Sequence, residues 1–256
     1  MVKYLLKRSY QLKNLKEVKF KDLWDDHGVF TTMWIFNNPP KILFFKEHID
    51  NLIKSSKAYS IYKPSLKSDI LKLLKNNIDT KKKYNHLLRV AVNKKILSIS
   101  IRKRVNSKLN FDLRLVNLKR YKPEFKNLRY REILKYLSKL DNSKSDIGLC
   151  SNKKILETGT SNLFFIKNNQ VFSPNNKFYK GTTYKFFNSK IKKIVKKDIL
   201  VKSLKGFDEI ILIGSGKGVT SVKTINSIKW KRKSLKFYRT LSKKYKSAIS
   251  NCSIFR

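Results

Sequence analysis

Between Lys154 and Phe187 the chain reads KILETGTSNLFFIKNNQVFSPNNKFYKGTTYKFF, a span that dictates a hairpin followed at once by a helix. Leu163 to Ile166 and Gln170 to Ser173 are short apolar or alternating runs. The Asn168-Asn169 pair between them tolerates the left-handed conformations of a tight turn. Gly181-Thr182-Thr183 then opens an amphipathic run. The first N–H groups of a helix have no partner within it, so this opening favours a phosphate. Glu157 stands just ahead of a Gly/Thr/Ser/Asn bend. Together these features ask for a ligand with a phosphate at one end and a cationic atom at the other.

Glu157 gains weight from the scarcity of acids, seventeen Asp and Glu against sixty Lys and Arg, a net charge of +43 over 256 residues. Such an excess suggests nucleic acid or an anionic surface as partner. The lysines, however, are scattered along the whole chain, and Lys, Asn, Ile, Ser and Phe are over-used together, as a biased nucleotide composition produces. Nucleic acid therefore stays open only as a non-specific partner. Cys150 and Cys252 lie far apart, in neither a disulfide framework nor a metal-ligand spacing. The N-terminus lacks an apolar core of signal-peptide length, and no apolar run approaches the roughly 20 residues of a membrane span. The expectation is a cytoplasmic protein with no membrane partner.

Taken in order, residues 1 to 26 are basic and weakly patterned. Val29 to Phe36 and Ile42 to Phe45 read as strands around Asn37-Asn38-Pro39-Pro40. Helical spacing covers Lys46 to Tyr59 and Ser68 to Asn77. Leu87 to Val92, Ile96 to Ile101 and Phe111 to Leu118 read as strands, and Lys126 to Leu140 as a helix. Beyond the opening stretch come strands at Ile199 to Leu204, Glu209 to Ile213 and Val219 to Ile225, then a basic helix from Ser234 to Ser247. The expected organisation is a small α+β domain over 1–116, a connection at 117–125 carrying Pro123, and a larger domain over 126–256.

Gly214-Ser215-Gly216-Lys217-Gly218 follows an apolar strand, but it is neither of the common phosphate loops. A P-loop needs Gly at position 211, which is Ile, and Ser or Thr at 218, which is Gly. A dinucleotide fingerprint fails as well, because the third Gly comes one residue early and no helix follows. What survives is a turn exposing N–H groups, with the Ser215 hydroxyl able to cap one phosphate oxygen. His27, His48 and His86 show no ligand spacing, so no metal is expected, and no catalytic triad suggests itself. Spacing alone singles out no lysine.

Six segments, in order, resemble the class IV (fold-type IV) pyridoxal-phosphate enzymes: branched-chain aminotransferases, D-amino-acid aminotransferases and aminodeoxychorismate lyase. Asp26-His27-Gly28-Val29-Phe30-Thr31-Thr32 resembles the early D-x-G-x-F-E/T-T strand, and Glu47-His48-Ile49-Asp50-Asn51-Leu52 the E-H-x-x-R-L helix. Lys126-Asn127-Leu128-Arg129-Tyr130 resembles the K-x-L-N-Y start of the helix carrying the cofactor lysine. Leu156 to Phe164, LETGTSNLF, resembles E-G-x-x-S-N-[IL]-F, the most specific match. Lys180-Gly181-Thr182-Thr183 resembles the P-G-[IV]-T phosphate turn, and Asp208-Glu209-Ile210-Ile211 through Val219-Thr220 the D-E-[VA]-F-L-T-G-T-A-x-x-[VI]-T segment.

The resemblance implies an α+β, two-domain fold, D-amino-acid aminotransferase-like, with a small N-terminal α/β sandwich and a larger β-barrel-like domain with helices. It implies pyridoxal 5'-phosphate, held as an imine by Lys126, which would also move the proton. A lysine doing that work needs a pKa lowered by desolvation or a neighbouring cation. Glu157 would pair with the pyridine nitrogen and keep it protonated. Thr182, Thr183, Ser215 and Gly216 would hold the phosphate, and Tyr130 would contact the cofactor hydroxyl. The phosphate-binding arginine falls at Asn51, which lacks its charge and fork. Lys180 replaces the usual Pro and Tyr184 the usual Arg.

Among the family's reactions, the short chain, the Phe30-Thr31-Thr32 strand and the spacing from Asn51 to Lys126 look closest to the lyase. That enzyme releases pyruvate and 4-aminobenzoate from 4-amino-4-deoxychorismate, for folate synthesis. The alternative is a branched-chain or D-amino-acid aminotransferase. In either case the partners are a small-molecule substrate and a second copy of the chain. From another class comes a degenerate scaffold that binds nucleic acid through Lys229-Trp230-Lys231-Arg232 and Lys236-Phe237-Tyr238-Arg239, where aromatics interleave with bases.

Overall fold

β-Branched and aromatic residues crowd the first hundred positions, and they pair into one sheet. The computed structural model describes residues 4–255; residues 1–3 and 256, which the expected domains include, lie outside the described residues. Contact density divides these into two units, one of residues 4–104, 125–130 and 249–255, the other of 105–124 and 131–248. The linear cut expected at 116/117 does not coincide with this partition.

In the first unit, β1 (Tyr4–Gln11), β2 (Glu17–Val18), β3 (Gly28–Asn37), β4 (Lys41–Ile42), β5 (Tyr84–Asn93) and β6 (Ile96–Lys103) form a sheet in the order β2-β1-β6-β5-β3-β4. Every pairing in it is antiparallel. Strand β1 emerges from a segment whose pattern is too weak to announce it. Its inward Ser9 meets Ser98 of β6 through a 2.8 Å hydroxyl contact, so a polar pair replaces the apolar alternation a strand normally shows. Helices α1 (Phe45–Ala58) and α2 (Leu66–Asn77) turn Ile49 and Leu52, and Leu66, Ile70, Leu73 and Leu74, into the core beside Val29, Met33, Ile35, Leu88 and Val90. Each such side chain contributes about 1.5–3 kcal/mol on full burial. The strand expected over Ile42 to Phe45 is cut short. Phe44 takes a left-handed φ of 55°, which reverses the chain and starts α1 one residue later.

The second unit is built on a mixed sheet. Its strands are β7 (Phe111–Asn117), β8 (Ser145–Ser151), β9 (Lys154–Thr158), β10 (Asn162–Lys167), β11 (Gln170–Ser173), β12 (Ile194–Lys196), β13 (Ile199–Leu200), β14 (Glu209–Gly214), β15 (Gly218–Ile225) and β16 (Trp230–Lys231). They run β12-β11-β10-β14-β15-β7-β8-β9-β13, with β16 on β15. Pairs β7–β8, β7–β15 and β11–β12 are parallel. Helices α3 (Arg131–Leu137), α4 (Thr182–Lys190) and α5 (Lys236–Ser250) complete the set of elements, α5 reaching into the segment that belongs with the first unit. Asn168 and Asn169 both have positive φ, 49° and 59°, and close the β10–β11 hairpin as that pair predicts.

Period-two alternation along β10 sends Leu163 and Phe165 into a core with Phe111, Ile210, Leu212, Val222 and Trp230. Phe164 points the other way, against Tyr184 and Phe187 of α4, and Tyr245 of α5 stacks on Phe187. Two expectations are corrected here. Ile199 to Leu204 is a strand for two residues only, then a 3-10 turn over Val201–Gly206 that buries Leu204. Trp230, offered as a stacking surface, is 2% exposed and donates its indole N–H to the Phe207 carbonyl at 3.0 Å, so it serves the core. No helix among the described residues is long and apolar enough to cross a membrane.

Candidate functional site

Lys126 does not begin a helix. Its carbonyl accepts from Phe30 N–H at 2.8 Å, Leu128 N–H donates to the Gly28 carbonyl at 2.9 Å, and Asn127 bridges Val29. The segment therefore lies extended beside β3, and because its backbone groups are spent there, α3 starts only at Arg131. Gly28 makes this possible. A Cβ on it would sit 2.5 Å from the Val92 carbonyl oxygen and 2.6 Å from Leu128, so any larger residue would push 125–130 off the strand.

Around Lys126 Nζ in the first unit stand the Phe30 ring, 5.1 Å away, and the Tyr130 ring, 6.0 Å away. Trp24 packs on both rings and carries the Arg89 guanidinium on its face at 4.2 Å, while Arg89 is held by Asp22. One residue beyond Phe30, the Thr31 hydroxyl is hydrogen-bonded to His48 Nδ1 at 2.8 Å. His48 is buried, and burial first, then the charge of Lys126, lower its pKa to about 3. It is a neutral ring at physiological pH. Asn51 follows His48 by three residues, hence on the same side of α1, as a half-buried neutral amide.

In the second unit Glu157, on β9 and 5% exposed, is engaged through both oxygens. Arg120 Nε donates to Oε1 at 2.8 Å, and Tyr179 N–H donates to Oε2 at 3.3 Å. Arg120 is fixed in turn by the Pro123 carbonyl, 2.6 Å from Nη2, and its guanidinium faces the Tyr179 ring at 5.8 Å. Asn162, first residue of β10, spans the strap before α4. Its Nδ2 donates to the Tyr179 carbonyl at 2.6 Å, and its Oδ1 accepts from Gly181 N–H at 3.1 Å. The acid and the helix start are thus tied to one strap.

Helix α4 begins after Gly181 with no side-chain cap and no acid in its first turn. Thr182 and Thr183 are buried, and Thr183 Oγ1 lies 3.4 Å from Ser215 Oγ in the turn between β14 and β15. Hydroxyls and helix amides without a carboxylate are a donor set for an anion such as phosphate. A buried carboxylate already held by a guanidinium suits a protonated ring nitrogen. In the second unit, the chemistry of Glu157, Thr182, Thr183, Ser215 and Gly216 therefore fits pyridoxal phosphate; Lys126, Tyr130 and Asn51 belong to the first unit. Tyr184 lies elsewhere, its hydroxyl 3.0 Å from Ser173 Oγ in the core, where burial raises its pKa.

Sequence reasoning missed Arg120, which is one of sixty bases, and the Thr31–His48 pair, whose two halves it had noted separately. Asn162 was legible as part of the S-N-L-F match, though its task as a brace was not.

Residues 28–225 match the family model described as amino-transferase class IV. Among solved structures, the branched-chain aminotransferase of the thermophilic archaeon Thermoproteus uzoniensis with norvaline has a TM-score of 0.77 at 14% identity, covering 97% of this chain and 99% of that one. The Escherichia coli branched-chain amino acid aminotransferase gives 0.75 at 15%, covering 94% and 93%. A Legionella pneumophila protein provisionally assigned as a 4-amino-4-deoxychorismate lyase gives 0.68 at 18%, covering 86% and 91%. No curated protein sequence matches the chain. At these identities the structures share the fold, and the expected α+β fold-type IV architecture is the one observed.

Two outcomes follow from the geometry. Replacing Arg120 by Met leaves the Glu157 carboxylate buried without its guanidinium, which costs about 3–5 kcal/mol in denaturant unfolding; Glu157→Gln on top of it recovers part of that loss. His48 has its native pKa below the unfolded value of 6.5, so the unfolded chain binds the extra proton and stability falls as pH drops through 6.5. At pH 5 this amounts to about 2 kcal/mol. In His48→Gln, unfolding free energies measured between pH 7 and pH 5 should lose up to one proton's worth of slope relative to the parent.

Proposed function

The chain belongs to the amino-transferase class IV family, and on that premise we propose that it is a pyridoxal-phosphate-dependent 4-amino-4-deoxychorismate lyase, releasing pyruvate and 4-aminobenzoate. The family comprises pyridoxal-phosphate aminotransferases and lyases. One observation favours the lyase. Thr31 places a neutral hydroxyl, bonded to a neutral imidazole, where aminotransferases of the family more often carry Glu. A carboxylate there would repel a substrate that itself carries two. The resemblance further implies a homodimer in the cytoplasm, supplying 4-aminobenzoate for folate synthesis.

Pyridoxal phosphate, when bound, supplies an aldehyde that bonds amines and a ring that accepts electrons from the bond being broken. Glu157 would receive the pyridine N–H. Because Arg120 and the Tyr179 amide already hold its two oxygens, the carboxylate is aimed, with little to reorganise. Thr182, Thr183, Ser215 and Gly216 would bind the phosphate through hydroxyls and amides, without the arginine that Asn51 replaces. Lys126 Nζ would take the proton from the substrate carbon and return it. Phe30 and Tyr130 flank that nitrogen and give it an apolar wall. The neutral His48 leaves Lys126 as the proton carrier on this side.

The test is a comparison of turnovers by the protein supplied with pyridoxal phosphate. With 4-amino-4-deoxychorismate, 4-aminobenzoate and pyruvate should appear in equal amounts, and Lys126→Ala should lose at least a hundred-fold in rate. If only an amino acid with a keto acid turns over, the protein is an aminotransferase. If neither mixture reacts and the protein binds nucleic acid with steep salt dependence, the degenerate scaffold is correct.

A further inference from the structure

The Ser215-Gly216 turn is held from below by a buried charge pair to which the steps above assign nothing. Asp146, on β8, is completely buried. Its Oδ1 accepts from the backbone N–H of Ile147 at 2.8 Å. Its Oδ2 accepts from the Thr158 hydroxyl at 3.0 Å and the Thr160 hydroxyl at 2.6 Å, and lies 4.0 Å from Lys217 Nζ. Lys217 is itself sunk, with its side chain 8% exposed and its ammonium 3.0 Å from the Asn142 carbonyl and over the Phe111 ring at 4.8 Å. A charge in that setting is tolerated only with partners of this quality, so the arrangement is closely determined.

What the pair joins is specific. Thr158 and Thr160 belong to the bend after Glu157, where the Thr158 hydroxyl also accepts from Ser161 N–H at 2.8 Å. Lys217 belongs to the turn after β14, next to Ser215 and Gly216, where Gly218 adopts a φ of 69° and Thr220 Oγ1 donates to the Lys217 carbonyl at 3.2 Å. The bend and the turn press together so closely that a Cβ on Gly214 would come within 2.8 Å of Ser161 Oγ.

Resting on the cofactor reading above, we infer that Asp146 and Lys217 form a clasp that locks the β14–β15 turn onto the bend beside Glu157, and that both are positioning residues for the cofactor phosphate. With Asn51 in the arginine's place, the phosphate end depends on hydroxyls and amides, which bind an anion only when held at fixed angles. The clasp supplies that fixity. Glu157 on the other side of the clasp keeps its own anchors in Arg120 and the Tyr179 amide, so loss of the clasp should act mainly on the phosphate turn and discriminate between ligands with and without a phosphate.

The experiment measures dissociation constants of pyridoxal 5'-phosphate and of phosphate-free pyridoxal for the wild-type protein and for Asp146→Asn, Lys217→Met, Lys217→Arg and the milder Thr160→Val. Asp146→Asn and Lys217→Met should each weaken pyridoxal phosphate about ten-fold while pyridoxal changes less than about two-fold. Lys217→Arg should restore most of the loss, and Thr160→Val should show a smaller loss of the same kind. Hydrogen exchange at 214–218 should quicken in Asp146→Asn. Equal weakening of both ligands, or no weakening of either, overturns the clasp. So does tighter binding of pyridoxal phosphate by Asp146→Asn, since that would make Lys217 a direct phosphate ligand released from its acid. A wild-type protein that binds neither ligand overturns the cofactor reading and the clasp with it, an outcome distinct from the others.

Discussion

A carboxylate and a guanidinium removed together from water hold the centre of the second unit. Glu157 and Arg120 are both buried, and each has a further partner, the Tyr179 amide on one side and the Pro123 carbonyl on the other. Desolvating two ions costs several kcal/mol apiece, which the pair offsets through its own short contact and the further hydrogen bonds that each ion makes. A hydrophobic pair of the same volume would hold the fold as well. What such a pair would lack is a negative charge fixed at the end of β9, one strap away from a helix start that prefers an anion. The arrangement makes sense as a socket for a dipolar ligand.

The scarcity of acids sharpens this point. Of seventeen Asp and Glu in a chain of charge +43, three are nearly or wholly buried, each at a different structural junction. Glu157 meets Arg120. Asp146 gathers two threonines and Lys217. Glu209 receives the Phe237 and Tyr238 amides at 2.9 Å each and caps α5. Exposed acids fade into a lysine-rich surface, where ion pairs contribute little. The buried ones are held by the amides, hydroxyls and cations that surround them.

Much of this was legible in the sequence where local chemistry decides the outcome. The Asn168-Asn169 turn, the Gly181 helix start, the α1 and α2 faces and the acid at 157 all follow from residue type and spacing. Non-local pairing was hidden. Lys126 to Tyr130 carries helical spacing, yet its backbone is claimed by β3 through a close approach that only Gly28 permits. Strand β7 precedes the expected domain connection and nevertheless pairs with β8 and β15. Arg120 was invisible because composition had already filled the chain with cations, so that only burial and a partner mark it out. The departure at Asn51 from the arginine that the resemblance implies was legible, whereas the braces of the Gly181 helix start and of the Ser215-Gly216 turn were not, because hydroxyl and amide contacts leave no periodic trace.

The most direct measurement is the site of covalent attachment. Borohydride reduction of the protein with one equivalent of pyridoxal phosphate, followed by peptide mapping, should place the phosphopyridoxyl group on Lys126 despite the many lysines competing for it. In Glu157→Gln the same lysine should be labelled more slowly. Label spread over the surface lysines, or concentrated on a lysine other than Lys126, would contradict the assignment of this site.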